Sequence, residues 1–173
     1  MKNKSLIILK ELNIKHVSKQ YVDWLNDKTT MMFTEQRFKK HTYADVKNFV
    51  LKNLNSKESF LYGVFLRNNK KLLHIGNIKL GPIDNYHKFS YISYFIGNKK
   101  FLGKGYGKIM IKEILKISKK KFKLRKILAG TYALNTSSIK VLKANGFKLE
   151  GKMKKLYKFN KKYIDHLVYG KLI

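Results

Sequence analysis

Phe89-Ser90-Tyr91-Ile92-Ser93-Tyr94-Phe95-Ile96-Gly97, followed after four residues by Leu102-Gly103-Lys104-Gly105-Tyr106-Gly107, is the stretch that decides how this chain folds. Residues 89–96 are aromatic and β-branched and read as a strand. Beyond Gly97 the period changes. Tyr106, Ile109, Met110, Ile114 and Ile117 line one apolar face of a helix that runs into the lysines at 119–121. Between strand and helix, glycine at alternating positions lets backbone come close to a ligand and expose successive N–H groups. The positive end of the helix adds to this, so a diphosphate is the natural guest. A plain tight turn would also use such glycines. No Gly-Lys-Ser/Thr ending follows, and the loop lies mid-chain, so neither a Walker loop nor a dinucleotide-fold fingerprint fits. Lys99, Lys100, Lys104 and Lys108 would draw phosphate towards it.

Upstream, residues 6–12 have strand composition and 19–26 suit a short amphipathic helix. Thr42 and Asp45 resemble a capping box ahead of Val46, Phe49, Val50 and Leu54 at helical spacing. Runs 60–66 and 72–80 read as strands, with turns at Asn68-Asn69 and at Gly81-Pro82-Ile83-Asp84-Asn85. Downstream, 125–131 is a strand and 135–144 a short helix stopped at Asn145-Gly146. Residues 147–158 and 163–172 form a hairpin around Asn160-Lys161. The order β-α-α-β-β-β-α-β-α-β-β describes one mixed α/β domain over 1–173, without linker or repeat.

The absence of Cys removes disulfides, thiolate metal sites and cysteine nucleophiles. The opening apolar run soon meets Lys10 and Glu11, too short for a signal core or membrane span, so a soluble cytoplasmic protein is expected. The formal charge of +29 is carried by scattered Lys, with Arg only at 37, 67 and 125. Base and phosphate readers favour Arg, so nucleic acid is not the expected partner. Such a surface still attracts anionic small molecules and repels polycations.

Tyr94-Phe95-Ile96-Gly97, the glycine loop, Asn135-Thr136-Ser137-Ser138-Ile139 and Asn145-Gly146-Phe147 together resemble the GNAT superfamily of N-acetyltransferases, in order and spacing. Gly146 to Gly151, with Tyr163-Ile164-Asp165, looks like the branch of ribosomal-protein-alanine and spermidine acetyltransferases. The resemblance implies an α/β (α+β) fold: a mostly antiparallel sheet splayed between strands 4 and 5 and flanked by helices. It implies acetyl-coenzyme A as co-substrate and no metal. Pantetheine would pair with the edge at Phe95, Ile96 and Gly97, and the diphosphate would sit on amides from Gly103 to Lys108, with Leu102 opening the loop. Asn135 reads equally as a helix cap or as a ligand to the pantetheine arm. The family's usual proton-handling residues are replaced here by Leu142 and Tyr91.

Acyl transfer needs an uncharged amine and a donor for the thioester oxygen, supplied on this reading by backbone N–H near Phe95 and Ile96. Direct attack in a ternary complex is the expected mechanism, driven by positioning. Proton acceptors to consider are His87, Glu35, Tyr91 and Ser93; His87 reads also as a solvated turn residue. Either Tyr91 and Ser93 or Ile92 and Tyr94 face the cleft. Glu35 with Arg37 reads as an ion pair or as an acceptor site. Residues 21–27, 35–38 and 74–82 resemble GNAT proteins of bacterial surface-polysaccharide amino sugars. That implies a nucleotide-linked amino sugar as acceptor, met by Trp24, Glu35, Arg37, Asn77 and Lys79. The alternatives are a ribosomal-protein N-terminus, a polyamine, or a non-catalytic nucleotide- or RNA-binding domain of the same fold. A homodimer is left open.

Overall fold

The computed structural model describes residues 6–68 and 71–173; the opening segment 1–5 and the Asn69 half of the expected Asn68-Asn69 turn lie outside them. Strands β1 (Leu6–Glu11), β2 (Phe60–Asn68), β3 (Lys71–Asp84), β4 (Phe89–Ile96), β5 (Lys126–Tyr132), β6 (Lys148–Phe159) and β7 (Lys162–Leu172) form one sheet. Their order across it is β1-β2-β3-β4-β5-β7-β6. Helices α1 (Lys19–Asn26), α2 (Tyr43–Leu54), α3 (Tyr106–Lys120) and α4 (Thr136–Ala144) cover it. Among the described residues no helix is long and apolar enough to cross a membrane.

Two separate cores lie on the two faces. Tyr21, Trp24 and Leu25 of α1 pack with Val46 and Val50 of α2 against Leu61 and Phe65. On the other face Met110, Ile111 and Ile114 of α3 and Leu142 of α4 meet Val64, Ile78, Ile92 and Ile127. Burial of side chains at alternate strand positions on opposite faces holds the helices in place.

The middle of the sheet is where it opens. β4 and β5 are parallel and pair only at Phe89, Ser90 and Tyr91 with Lys126, Ile127 and Leu128; beyond Tyr91 they part. Every other neighbouring pair is antiparallel.

Three expectations need correction. Gly81-Pro82 is not the turn: β3 runs on to Asp84, a register shift absorbs Gly81 and Pro82, and the chain reverses over 85–88. Ile83 is held in the sheet because its N–H reaches Glu58 O at 2.8 Å and its side chain is buried. On α3 the buried stripe is Met110, Ile111, Ile114 and Ser118, while Ile109 stays 39% exposed. On α2, Phe49 and Leu54 are exposed and Asn53 is buried, its amide bonded to Phe49 O at 2.8 Å. The Thr42–Asp45 capping box forms in both directions.

Candidate active site

A cleft of about 380 Å³ occupies the fork between β4 and β5. Ile92, Tyr94, Asn135 and Ser138 line it from the side of α3 and α4. Tyr21, Phe49, Asn77 and Lys79 line it from the side of α1 and α2. The opening therefore passes through the sheet and touches both faces. The β4 alternation is not an either/or: Ile92 packs in the α3/α4 core and Tyr94 against it while both line the cleft, Ser93 lines it from the other face, and Tyr91 lies exposed outside it.

Backbone direction on β4 is fixed at both ends. Lys88 O accepts from Lys126 N on β5 at 3.2 Å, and Gly97 N–H donates to Ile75 O on β3 at 2.9 Å. Backbone groups alternate along a strand, so even-numbered residues face the β5 side and odd-numbered ones face β3. Past the fork, the N–H and C=O of Tyr94 and Ile96 are thus turned to the open edge. Those of Phe95 and Gly97 are turned away from it, which shifts the expected edge by one residue. Any added Cβ at Gly97 would collide with the Trp24 indole. Trp24 is buried there, with His74 edge-on at 5.1 Å, and it is not part of the cleft wall.

The glycine loop leaves a run of backbone amides open at the start of α3. Gly103 (φ +70°) and Gly105 (φ +82°) take left-handed conformations, and Gly105 caps α3 without a side-chain acceptor. Such angles suit glycine alone. Lys108 N–H bonds back to Gly105 O at 3.1 Å, so it is occupied. The amides from Gly103 to Gly107 have no partner among the described residues. Consecutive free amides at a helix start bind phosphate oxygens. Lys99 is not free to help, since it bonds Asp27 at 2.8 Å and Thr29 at 3.0 Å. Lys100, Lys104 and Lys108 remain, with Lys104 lying over the Phe101 ring at 5.9 Å. Leu102 is exposed at the mouth of the loop. Gly107 has a different job: a Cβ there would stand 3.3 Å from Val141, so it lets α3 and α4 pack closely.

At the α3/α4 side of the fork, Tyr94 Oη and Ser138 Oγ are 2.8 Å apart. Burial pushes the Tyr94 hydroxyl up to about 12, partly offset by Ser138. Asn135 caps α4, its Oδ1 accepting Ser138 N–H at 3.1 Å. It also lines the cleft, so one side chain serves the helix and faces the ligand space.

The far wall comes from the 27–42 segment, β5, β6 and β7. Tyr132 Oη donates a hydrogen bond to Glu35. Tyr157 stacks on Tyr132 at 4.5 Å, and the His166 ring meets Tyr157 edge-on at 4.9 Å. Tyr132 is pushed up to about 12, first by burial and then by its bond to Glu35. Burial holds His166 below the usual histidine value against the opposing pull of Glu35. Its Nδ1 is buried without a hydrogen-bond partner among the described residues, and the ring lies over Gly130. The cleft therefore contains a neutral imidazole at neutral pH beside a carboxylate. Lys39 and Lys79 line the same cleft, and burial lowers the pKa of Lys79, with Lys52 adding to it.

Of the residues singled out from sequence, Glu35, Ser93, Asn77, Lys79, Phe95 and Asn135 converge here. Arg37 is engaged elsewhere, donating to Met32 O at 2.6 Å and Lys158 O at 2.9 Å with its guanidinium over Phe38 and Tyr132. It ties the loop to β6 and forms no ion pair with Glu35. His87 sits exposed in the turn after β3, its N–H on Asp84, away from the cleft. Sequence reasoning missed Tyr94, Ser138, Tyr132, Tyr157 and His166 as a set. Among the described residues no group of His, Asp and Glu has a metal-ligating arrangement.

The Vibrio cholerae spermidine N-acetyltransferase, solved with CoA and spermine, superposes with a TM-score of 0.83 at 20% identity, over 96% of this chain and 95% of that one. The ribosomal-protein alpha-N acetyltransferase RimL, solved with coenzyme A, gives 0.84 at 19% identity over 99% and 96%. The microcin self-immunity acetyltransferase MccE, solved with acetyl-CoA and AMP, gives 0.83 at 19% over 99% and 94%. At these identities the likeness is one of fold. No curated protein matches the chain in sequence. The acetyltransferase (GNAT) domain family does match it, over residues 7–148, which takes in the fork, the glycine loop and α4. With a sheet parted at the fourth strand and an amide cradle at the start of α3, the chain belongs to the GNAT acetyltransferase family.

Proposed function

We propose that this acetyl-CoA-dependent N-acetyltransferase acts on a small molecule that joins one primary amine to an anionic group, a nucleotide-linked amino sugar being the kind that fits best. The observation that carries this is the polarity of the cleft. One carboxylate, Glu35, stands among the rings of Phe33, Tyr132 and Tyr157, while Lys39 and Lys79 line the same space. Asp45, the other acid there, is bonded to Thr42 N–H and Oγ1. A single ammonium finds a seat on Glu35, flat apolar faces of a ring pack on the tyrosines, and phosphate is drawn to lysine. A polycation meets a chain of net charge +29 and two acids in the cleft, Asp45 held by Thr42 and Glu35 sharing one oxygen with Tyr132. That a protein of this fold was solved with AMP supports room for a nucleotide.

In this reading the amides of Gly103 to Gly107 take the diphosphate of acetyl-CoA, and the free edge at Tyr94 and Ile96 pairs its pantetheine arm. Acetyl-CoA supplies the activated acyl group. Tyr94 N–H points to where the thioester oxygen gathers charge and stabilises it. The seated ammonium first gives one proton to water to become the uncharged attacking amine, and neutral His166 takes the second as the C–N bond forms. The Ser138–Tyr94 hydroxyl pair protonates the sulfur as the C–S bond breaks. Most of the rate comes from holding both partners in one slot.

A thiol-release assay with nucleoside-diphosphate amino sugars, N-terminal peptides and polyamines tests the acceptor. Turnover of the nucleotide sugars is expected; turnover of peptides or polyamines alone would overturn it. Absence of thermal stabilisation by saturating acetyl-CoA would remove the binding mode as well.

A further inference from the structure

Asn77 is 2% exposed, lines the cleft, and leaves its Nδ2 amide without a hydrogen-bond partner among the described residues. Buried polar groups are rarely left this way, and the exceptions mark places where a ligand or water completes the bonding.

The direction of this amide is set by its neighbours. His74 Nε2 lies 3.0 Å from Gly76 O. A backbone carbonyl only accepts, so Nε2 carries the hydrogen. The same nitrogen lies 2.7 Å from the Asn77 side chain. An N–H there needs an oxygen, which fixes Oδ1 towards His74 and Nδ2 away from it. The imidazole is itself clamped, stacked on Phe65 at 4.8 Å and flanked by Trp24 at 5.1 Å and Tyr21 at 5.9 Å. The Asn77 side chain beside the Tyr21 hydroxyl pulls that group's pKa down against the larger upward push of burial, yet no hydrogen bond of full geometry satisfies Nδ2 among the described residues. The amide therefore cannot turn over to satisfy itself, and what it offers the cleft is a donor.

Asn77 pairs across the sheet with Phe95, so the two side chains share the face covered by α1 and α2. The glycine loop and α4 serve the opposite face. We infer that Asn77 Nδ2 donates to a hydroxyl or carbonyl oxygen that the acceptor carries close to its reacting amine, making Asn77 a specificity-determining residue. This rests on the acceptor reading above and narrows it. The substrate class is an amino alcohol, an amino sugar or an α-amino carbonyl compound, and simple polyamines lack the required atom.

The test compares Asn77→Leu and Asn77→Asp with the parent protein on a matched pair of acceptors. One is a nucleoside-diphosphate amino sugar, the other its analogue without the hydroxyl next to the amine. Removing a donor that bonds a substrate oxygen should lower kcat/KM on the hydroxylated acceptor roughly tenfold or more. The deoxy analogue should change little, and stabilisation by acetyl-CoA should be kept. Asn77→Asp retains the oxygen facing His74 and so controls for folding. An equal loss on both acceptors, or lost stabilisation by acetyl-CoA, would overturn the inference. If the parent protein ignores nucleotide sugars but acetylates peptides, the acceptor reading fails on its own. Asn77 is then judged on a peptide against the matching alkylamine. A parent protein active only on polyamines would refute the oxygen requirement outright.

Discussion

Replacing Gly105 by Ala probes the anion cradle with the least collateral change. Gly105 sits at φ +82°, and a Cβ built there has nothing within 4 Å. Alanine therefore introduces no clash, only the cost of holding an L-residue in left-handed backbone, roughly 1–2 kcal/mol. In the free protein this exposed loop can relax and escape that cost. Gripping the diphosphate requires the five amides realigned, so the cost reappears as lost affinity, about 5- to 30-fold. Calorimetric titration with acetyl-CoA, alongside a melting curve of the free protein, measures both quantities. Gly107→Ala is the contrast. Its φ is ordinary and its new methyl would press on Val141 at 3.3 Å, so it should act on the melting temperature through α3–α4 packing. Parent affinity in Gly105→Ala would refute the reasoning, because amides that bind equally well from a relaxed loop are not the grip.

Leu142→Ala empties a fully buried position between α4 and the sheet and should cost about 3 kcal/mol in urea unfolding; under about 1 kcal/mol would mean α4 packs loosely. For His166 the sign follows from its lowered pKa. The ring is neutral and able to take a proton above that value, so kcat/KM should climb as pH rises through a point below 6.5 and gain nothing more from this group beyond it. His166→Gln should remove that limb and lower kcat roughly 100-fold or more; a limb that persists would assign the proton to another group.

What could be read from the sequence was local. Helix α1 occupies 19–26 as its pattern predicts, and Thr42 and Asp45 cap α2, because both depend on residues within four positions. The glycine loop was legible for the same reason. Its free amides end at Gly107 rather than Lys108, because the first helical turn recruits Lys108. The cleft walls were not legible. Tyr132 and Glu35 are 97 positions apart, and Tyr94 and Ser138 are 44 apart. His166 enters only because β5 and β7 pair with Tyr132 opposite it. No periodicity in one segment carries that register. Gly81-Pro82 misled because turn chemistry is a local preference, and here a distant carbonyl, Glu58 O, captures Ile83 first.

The passage between β4 and β5 pierces the sheet from one side to the other, and this bears on kinetic order. On the proposed binding mode each reactant would have its own doorway: the nucleotide end of acetyl-CoA on the α3/α4 side, the amine on the α1/α2 side. Neither would block the other's route in or out. Such an arrangement would impose no compulsory sequence of arrival, and spent coenzyme would not have to wait for the acetylated product to depart.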